Sequence, residues 1–532
     1  MVKSRHRQLS KTFRDTVHGL ITLPPVCVAI IDDPVFQRLR GLKQLGTVHL
    51  VFPTASHTRF EHSLGVSYLA GKMARHLRRV QPQLGITDAE ITCCQVAGLC
   101  HDLGHGILSH SFDQFVHQAG CDEEWTHEKG SLMLLDDIVA RNDAFKREFG
   151  FCGLGASENL VMIKEMILGC PSKAPAEWKW TGRPGKEFLF QIVANQQNGI
   201  DVDKFDYLAR DARAVDVNNA FDAKRLIKSS RVLSLHGTMQ ICFDVKEFYN
   251  VHELFKTRYS MHKRVYQHRV VHATSAMMID ALLSADKAGF APLLSSQGEF
   301  IKVSHATTDM VAYTSMTDCV LHQLQYSNEP QFEEARTLLQ RVSTRKLYKL
   351  VGEHAIGCSS SESLASIKKQ VLEFVVAHDE SSALSGSSVP TTQKKVADEV
   401  QEQATTEATT EATTTTATPK TTKLQLKQQA SLSLSSVVTP DDLYVCVFTI
   451  DYGMGNLNPV DRVGFYNKRG ALALKDNQVV AEHMLSKQVK CEIPKAFSQT
   501  YLRLYLKSLD VAKLETASRA WQAWLSAQPD SD

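Results

Sequence analysis

The stretch QVAGLCHDLGHGILSHSFDQF, residues 95–115, decides the reading of this chain. His101, Asp102, His105 and His110 fall within ten positions, and Asp113 follows. Ile91, Cys94, Ala97 and His101 recur at three- to four-residue spacing, so an apolar helix with Asp88 near its start runs up to the His-Asp pair. The glycine-bracketed LGHG turn then ends it. A lone histidine on such a helix is an ordinary core residue. An adjacent imidazole and carboxylate would each need a buried partner, and together they suit a borderline transition metal.

A metal centre needs more than two ligands, and two further segments offer them. RFEHSLG (59–65) places His62 before Leu64, Val66, Leu69, Met73 and Leu77, whose spacing predicts a helix starting near Ser63. NGIDVDKFDYLARD (198–211) offers Asp201, Asp203, Asp206 and Asp211, with Asp203 in an otherwise apolar helical setting. It belongs to a longer helical candidate, residues 187–214, weakened at Gly199. A set made of His62, His101, Asp102 and Asp203 leaves coordination open for water and a phosphate oxygen, as hydrolysis requires. Zn²⁺, Fe and Mn²⁺ all suit these donors.

The rest of the chain sets limits. Its 532 residues are 43% apolar and 22% charged with a net charge of +2, which gives no general drive toward nucleic acid or anionic membrane. No apolar run is long enough for a spanning helix. Twelve cysteines without a C-x-x-C pair predict reduced thiols in the nucleus or cytoplasm. The basic start MVKSRHRQLSKTFR leaves a mitochondrial address as the lesser alternative. Residues 377–439 are Thr-, Ala-, Glu- and Ser-rich, including TTEATTEATTTTATPKTT, and predict a disordered linker. Beyond it LYVCVFTIDYG (443–453) predicts a strand, GFYNKRGALAL (464–474) a second, and LETASRAWQAWLSAQ (514–528) a helix.

The motifs RFEHSLG, GLCHDLGHG, WTHEKGS, NGIDVDKFDYLARD and KRVYQHRVV resemble the SAM-and-HD-domain deoxynucleoside triphosphate triphosphohydrolase family, from about Lys11 to Gly352 and again from Leu443. The resemblance implies a mainly α fold: a helical HD-domain phosphohydrolase core with a smaller mixed α/β C-terminal lobe. The expected division is a basic tail (1–10), core with helical extension (11–376), linker (377–439), lobe (440–525) and tail (526–532), with no SAM domain ahead of the core. It implies metal ligation by His62, His101, Asp102 and Asp203, and cleavage of dNTPs to deoxynucleoside and tripolyphosphate, with Mg²⁺ accompanying the triphosphate. His110 is the expected general acid, on the strength of a neutral-range pKa, with Asp113 one turn away to orient it. His105 and His127 would contact phosphate, with Glu128 beside His127. Arg59, Lys204 and Arg258 would hold the triphosphate. Gln44, Tyr207 and Asp211 would read the 3′-hydroxyl, and Leu45 and Tyr266, next to Gln267, would exclude ribose.

The resemblance further implies activation by GTP or dGTP and by dNTP, bound between subunits of an effector-induced homotetramer. Lys11, Asp32, Gln37, Arg40 and Arg345 match a guanine-selective site, where an aspartate accepts from the guanine N–H groups. Phe60, Asp222, Arg225, Lys246, Asn250, Arg264, His268 and Lys468 match a second effector site. Arg14 and Asp244 depart from the family pattern there, as though an Asn and an Arg had been replaced by an exchanged charge pair. Without the resemblance, DPVFQRLRGLKQLG (33–46) reads as an amphipathic helix with a solvated basic face. Competing readings are another HD hydrolase, such as a 5′-nucleotidase or phosphodiesterase, and a non-catalytic protein that senses nucleotides or binds nucleic acid.

Overall fold

The computed structural model describes residues 9–153, 157–169, 180–235, 237–356, 364–384, 437–467, 494 and 496–528. The chain forms two compact units: Met1–Leu347 with Thr449–Thr500, and Tyr348–Phe448 with Tyr501–Asp532. Composition predicts a linear division at 376 and 440; the observed one is interleaved. The cause lies in the apolar positions, since Val460, Val463 and Phe465 pack into the first core while Leu443, Val445, Leu502 and Leu504 pack into the second.

The first unit is mainly helical, as expected. A hairpin of β1 (Lys11–Asp15) and β2 (Gly19–Leu23) leads into α1 (Pro25–Ile31). Two long buried helices follow, α2 (Arg59–Val80) and α3 (Asp88–Cys100). Both start with a capping box, Thr58 with Glu61 and Thr87 with Glu90, in which a side chain and a backbone N–H satisfy each other. Helix α2 therefore begins one turn before Ser63, which is buried inside it. The helices α4 (His110–Ala119), α5 (His127–Arg141), α6 (Ser157–Leu168), α7 (Val202–Ala214) and α8 (Ala223–Ser229) come next. Strands β3 (Arg231–Leu235) and β4 (Thr238–Asp244) precede α9 (Phe248–Met261), α10 (Arg269–Lys287) and α11 (Glu333–Ser343).

The helix expected over 187–214 is broken in two. A 3₁₀ turn at Glu187–Gln191 is separated from α7 by a loop in which Gly199 adopts φ +73°. Side chains outcompete the helical ladder there: Asp201 accepts from the N–H groups of Asn195 and Lys204, and Asn198 from that of Ile200. Likewise 33–46 is no continuous amphipathic helix but a single turn, Pro34–Gln37, followed by a 3₁₀ turn.

The second unit contains β5 (Lys349–Ile356), α12 (Leu364–Leu384), β6 (Leu443–Asp451), β8 (Ser498–Leu506) and α13 (Val511–Ser526), the sheet order being β5-β8-β6. Strands β6 and β8 each pass from one unit to the other part-way along. Of the second strand expected at 464–474, the described residues contain β7 (Phe465–Tyr466), which pairs in parallel with β4 in the first unit, and 468–474 lie outside the described residues. Helix α12 runs eight residues into the segment expected to be linker, and 385–436 lie outside the described residues, as does Lys468. Among the described residues no helix is long and apolar enough to cross a membrane.

Candidate metal centre and active site

Helix α2 delivers His62 from its first turn, α3 ends at His101 and Asp102, and α7 delivers Asp203 from its first turn. Their donor atoms converge. His62 Nε2 lies 3.2 Å from His101 Nε2, 3.4 Å from Asp102 Oδ2 and 3.0 Å from Asp203 Oδ1. His101 Nε2 lies 3.3 Å from Asp203 Oδ1 and 3.5 Å from Asp102 Oδ1. Ligands about 2.1 Å from one ion sit about 3.0–3.4 Å apart in octahedral or tetrahedral geometry, so the donor set fits a metal.

Outer partners fix the imidazoles. His62 Nδ1 donates to Asp206 Oδ2 at 2.8 Å and His101 Nδ1 to the Gly98 carbonyl at 2.9 Å, so both Nε2 atoms face inward, where a metal would take the place of their protons. Asp206 is completely buried, and it also meets His18 at 2.6 Å and the Arg210 guanidinium at 2.9 Å. Arg210 is bound in turn to Asp15 at 2.8 Å. Burial opposes charge on His62, yet its bonds to Asp203 and Asp206 hold its pKa up to about 10. Asp203 resists burial the other way, and its contacts with His101 and His62 hold its carboxyl well below the usual range. A cation placed among these carboxylates gains from the same field.

A second group of side chains adjoins the first. The His105 and His127 rings stack at 3.9 Å, and His110 meets them edge-on at 4.7 and 5.2 Å. His105 Nε2 is 3.4 Å from Asp102 Oδ1. Asp113 is one turn from His110 on α4, but its carboxylate accepts from His127 Nδ1 at 2.9 Å instead of orienting His110. Burial, followed by the charges of Arg59 and His127, drives the His110 pKa down to about 4, not into the neutral range expected. Burial also opposes charge on His127, but the bond from Asp113 raises its pKa. Glu128 Oε1 lies 3.3 Å from His127 Nε2. Asp113 Oδ1, His105 Nδ1 and Gln44 Oε1 are buried without a hydrogen-bond partner, which is what a polar ligand would relieve.

The expected triphosphate and sugar contacts are distributed around these two groups. Arg59 is buried between Asp102, Ser109 Oγ at 2.9 Å and the Gln44 carbonyl. Lys204 is held by Asp201 at 2.8 Å. Arg258 Nη1 binds Asp451 Oδ1 at 2.7 Å, and Asp451 also accepts from the N–H groups of Gly453 and Gly455. Tyr266 donates to Asp211 Oδ2 at 2.7 Å, and His57 meets the other oxygen of that carboxylate at 2.8 Å. Burial pushes the Tyr207 hydroxyl up to about 12, against Arg258 and Lys204, so it is a neutral donor. Gln267 Oε1 is engaged by His272, and Leu45 is half-buried against the core.

Several contributors carry no local sequence signal. Buried Arg38 donates to the carbonyls of Leu103, His105 and Met316, pinning the LGHG turn from beneath. Leu108 and Ser109 take φ of +57° and +58°, a strained pair immediately ahead of His110. Ser109 Oγ donates to the Lys43 carbonyl and the Leu108 N–H to Asp318, which hold them there. His18, His57, Asp206, Arg210 and Asp451 join the site through partners distant in sequence, and His262 meets the Tyr266 ring edge-on at 5.0 Å.

The effector positions fall into clusters. Lys11 pairs with Asp32 at 2.8 Å, Gln37 accepts from Arg40 at 2.8 Å, and the Arg40 guanidinium lies 3.5 Å from the centre of the Phe60 ring. Arg345 donates to the Leu50 carbonyl, apart from them. Asn250 links Asp222 to Glu247, which also holds Arg225 at 2.7 Å. Asp244 is buried and accepts from the Lys246 N–H, whereas Arg14 is exposed on β1. Arg264 lies within the turn His262–Tyr266 that follows α9, and His268 caps α10.

The HD domain family matches residues 59–210, the span from the first to the last of these metal-facing segments. The chain is 37% identical over 519 residues to deoxynucleoside triphosphate triphosphohydrolase SAMHD1 of Bos taurus, covering 97% of this chain and 78% of that protein. It is 37% identical to the Homo sapiens protein of the same name, covering 98% and 74%. A Dictyostelium discoideum homologue is 38% identical over 69% of this chain and 66% of its own length.

Proposed function

The chain belongs to the SAMHD1 family of deoxynucleoside triphosphate triphosphohydrolases, and we propose that its converging donors and adjoining histidines hydrolyse dNTPs to deoxynucleoside and tripolyphosphate. The observation that carries this reading is the convergence of His62, His101, Asp102 and Asp203 within 3.0–3.5 Å beside the His105–His110–His127 cluster. A divalent transition metal held there supplies Lewis acidity toward a phosphoryl oxygen.

The side chains divide the remaining work. Arg59, Lys204 and Arg258 receive the triphosphate, with Mg²⁺ accompanying it. His105 and His127 contact the α-phosphate oxygens as donors. Water attacks the α-phosphorus and gives up its proton to solvent, the bond from phosphorus to the 5′-oxygen breaks, and that oxygen takes the proton that His110 has picked up from solvent. The cations around His110 keep the proton off it in the resting site, and the arriving triphosphate offsets their charge, so substrate itself raises the pKa of the acid. Tyr266, locked to Asp211, stands against a 2′-hydroxyl, and Tyr207 and Gln44 meet the 3′-hydroxyl.

The clusters Lys11–Asp32–Gln37–Arg40 and Asp222–Arg225–Lys246–Asn250 support activation by GTP or dGTP and by dNTP between subunits of a tetramer. The nucleus or cytoplasm is the expected compartment. Metal analysis of purified protein, joined to product identification with each dNTP and with or without GTP, tests the reading. Tripolyphosphate released from dGTP supports it, and no release under either condition removes it.

A further inference from the structure

We propose that a cleft between α2 and α8, away from the metal centre, is a binding site for a compact condensed-phosphate anion. The cleft has a volume of about 400 Å³, within the range of small-ligand sites. Helix α2 contributes Lys72, Arg75, His76 and Arg79, one face at i, i+3, i+4 and i+7. Helix α8 contributes Lys224 and Lys228, with Ile227 between them.

Five permanent cations thus line one cleft, and no carboxylate lines it. The chain as a whole carries 60 basic and 58 acidic residues, so this local imbalance is not a reflection of composition. None of the five forms an ion pair among the described residues. Arg75 reaches only the neutral Gln95 amide at 3.3 Å, Arg79 only His76 at 3.4 Å, and Lys72 only the Tyr68 ring at 5.5 Å. Elsewhere on the same two helices the cations are paired: Arg78 with Asp88 and Arg225 with Glu247. Like charges at i, i+4, such as Arg75 with Arg79 and Lys224 with Lys228, cost helix stability. Two such faces opposed across a cleft add to that cost unless an anion enters.

The lining also indicates what kind of anion. Apart from the His76 ring, which is buried, it holds no aromatic side chain on which a base could stack, and no carboxylate or amide to read a base edge. Recognition therefore rests on phosphate oxygens alone, whether the phosphates are free tripolyphosphate or the tail of a nucleotide. The buried His76 stays uncharged, because burial and then the Arg231 and Arg79 charges hold its pKa down, although its contact with the Ser230 carbonyl opposes this.

The test is calorimetric titration of the full-length, metal-loaded protein with inorganic tripolyphosphate, with a non-hydrolysable dNTP analogue, and with a single-stranded oligonucleotide. Parent protein, Lys72→Gln/Lys228→Gln, the charge-conserving Lys72→Arg/Lys228→Arg, and Arg258→Ala are compared. Each lost charge-assisted contact weakens binding about tenfold. The expected result is a tripolyphosphate site weakened about a hundredfold by the Gln pair, kept by the Arg pair and kept by Arg258→Ala. Equal binding of tripolyphosphate and nucleotide at that site assigns recognition to free phosphate chains; binding of the nucleotide alone assigns it to the nucleotide tail, and both support the proposal. Identical tripolyphosphate and nucleotide isotherms for the parent and the Gln pair overturn it, as does a loss confined to the oligonucleotide. Turnover of dNTP is read separately, so failure here leaves the hydrolase reading intact.

Discussion

Replacing Gly65 by alanine should empty the metal centre without touching a ligand. An alanine in mid-helix ordinarily stabilises by about 0.5–1 kcal/mol over glycine. At this position a Cβ would stand 1.9 Å from Asp206 Oδ1 and 2.7 Å from Arg210 Nη2, far inside contact distance. Asp206 cannot step aside cheaply, since it is held by His18, His62 and both contacts from Arg210. Overpacking of this kind costs about 1–3 kcal/mol, so the clash wins. The displaced carboxylate is the one that orients His62, and losing such an outer partner lowers metal affinity about 10–100-fold. The control is Gly71→Ala on the same helix, whose Cβ would meet the Gln95 side chain at 2.6 Å, away from the metal ligands. Competition with a chelator, followed by elemental analysis, should show metal lost from Gly65→Ala at chelator concentrations that leave the parent and Gly71→Ala loaded. Parental metal affinity in Gly65→Ala, or equal loss in both variants, would refute the role given to Asp206.

Other outcomes follow from the same geometry. His110→Ala should keep its metal and lose about 10²–10⁴-fold in turnover; activity within a few fold of the parent would reassign the acid. Asp451→Ala should lower kcat/KM about tenfold by releasing Arg258, with metal content unchanged, which steady-state kinetics with each dNTP can check. Folded His110 and His262 stay neutral down to about 4 and about 3, whereas unfolded imidazoles protonate near 6.5. Protons then bind the unfolded chain first, so stability is full above pH 6.5 and drains as pH falls toward 4. Denaturation midpoints measured at pH 7, 6 and 5 should fall in that order, and His262→Gln should flatten the slope. Trp521→Ala should cost about 3–5 kcal/mol in the second unit, where this ring is buried and stacks on Trp524 at 5.0 Å, while the metal stays bound.

The metal ligands were legible because each sits where two sequence patterns meet. His101–Asp102 ends an apolar helix, and His62 and Asp203 begin two others. Periodicity finds such boundaries, although it misplaced two of them: Ser63 was too late a start, and the helix through 187–214 ignored the capping strength of Asn198 and Asp201. What periodicity cannot see is pairing at a distance. Arg38 reads as one basic residue in a basic run, and only the fold places its guanidinium under the LGHG carbonyls. Asp451 lies 193 residues from Arg258, and Asp206 looked interchangeable with its neighbours Asp201, Asp203 and Asp211. The low pKa of His110 was hidden for the same reason, since it depends on burial and on Arg59 and His127, which arrive from other helices.

The interleaved units carry a consequence for chain continuity. A single proteolytic cut between residues 385 and 436 would give two fragments, and each would own parts of both units: β5 and α12 on one side, β6, β7, β8 and α13 on the other. Strand β7 would still have to find β4, and β8 would still have to find β5, across the break. Arg258 would likewise depend on Asp451 from the other piece. Such a nicked protein should stay associated under native conditions and come apart only on denaturation. The two halves, made separately, should therefore complement each other, with the return of dNTP hydrolysis reporting their reassembly.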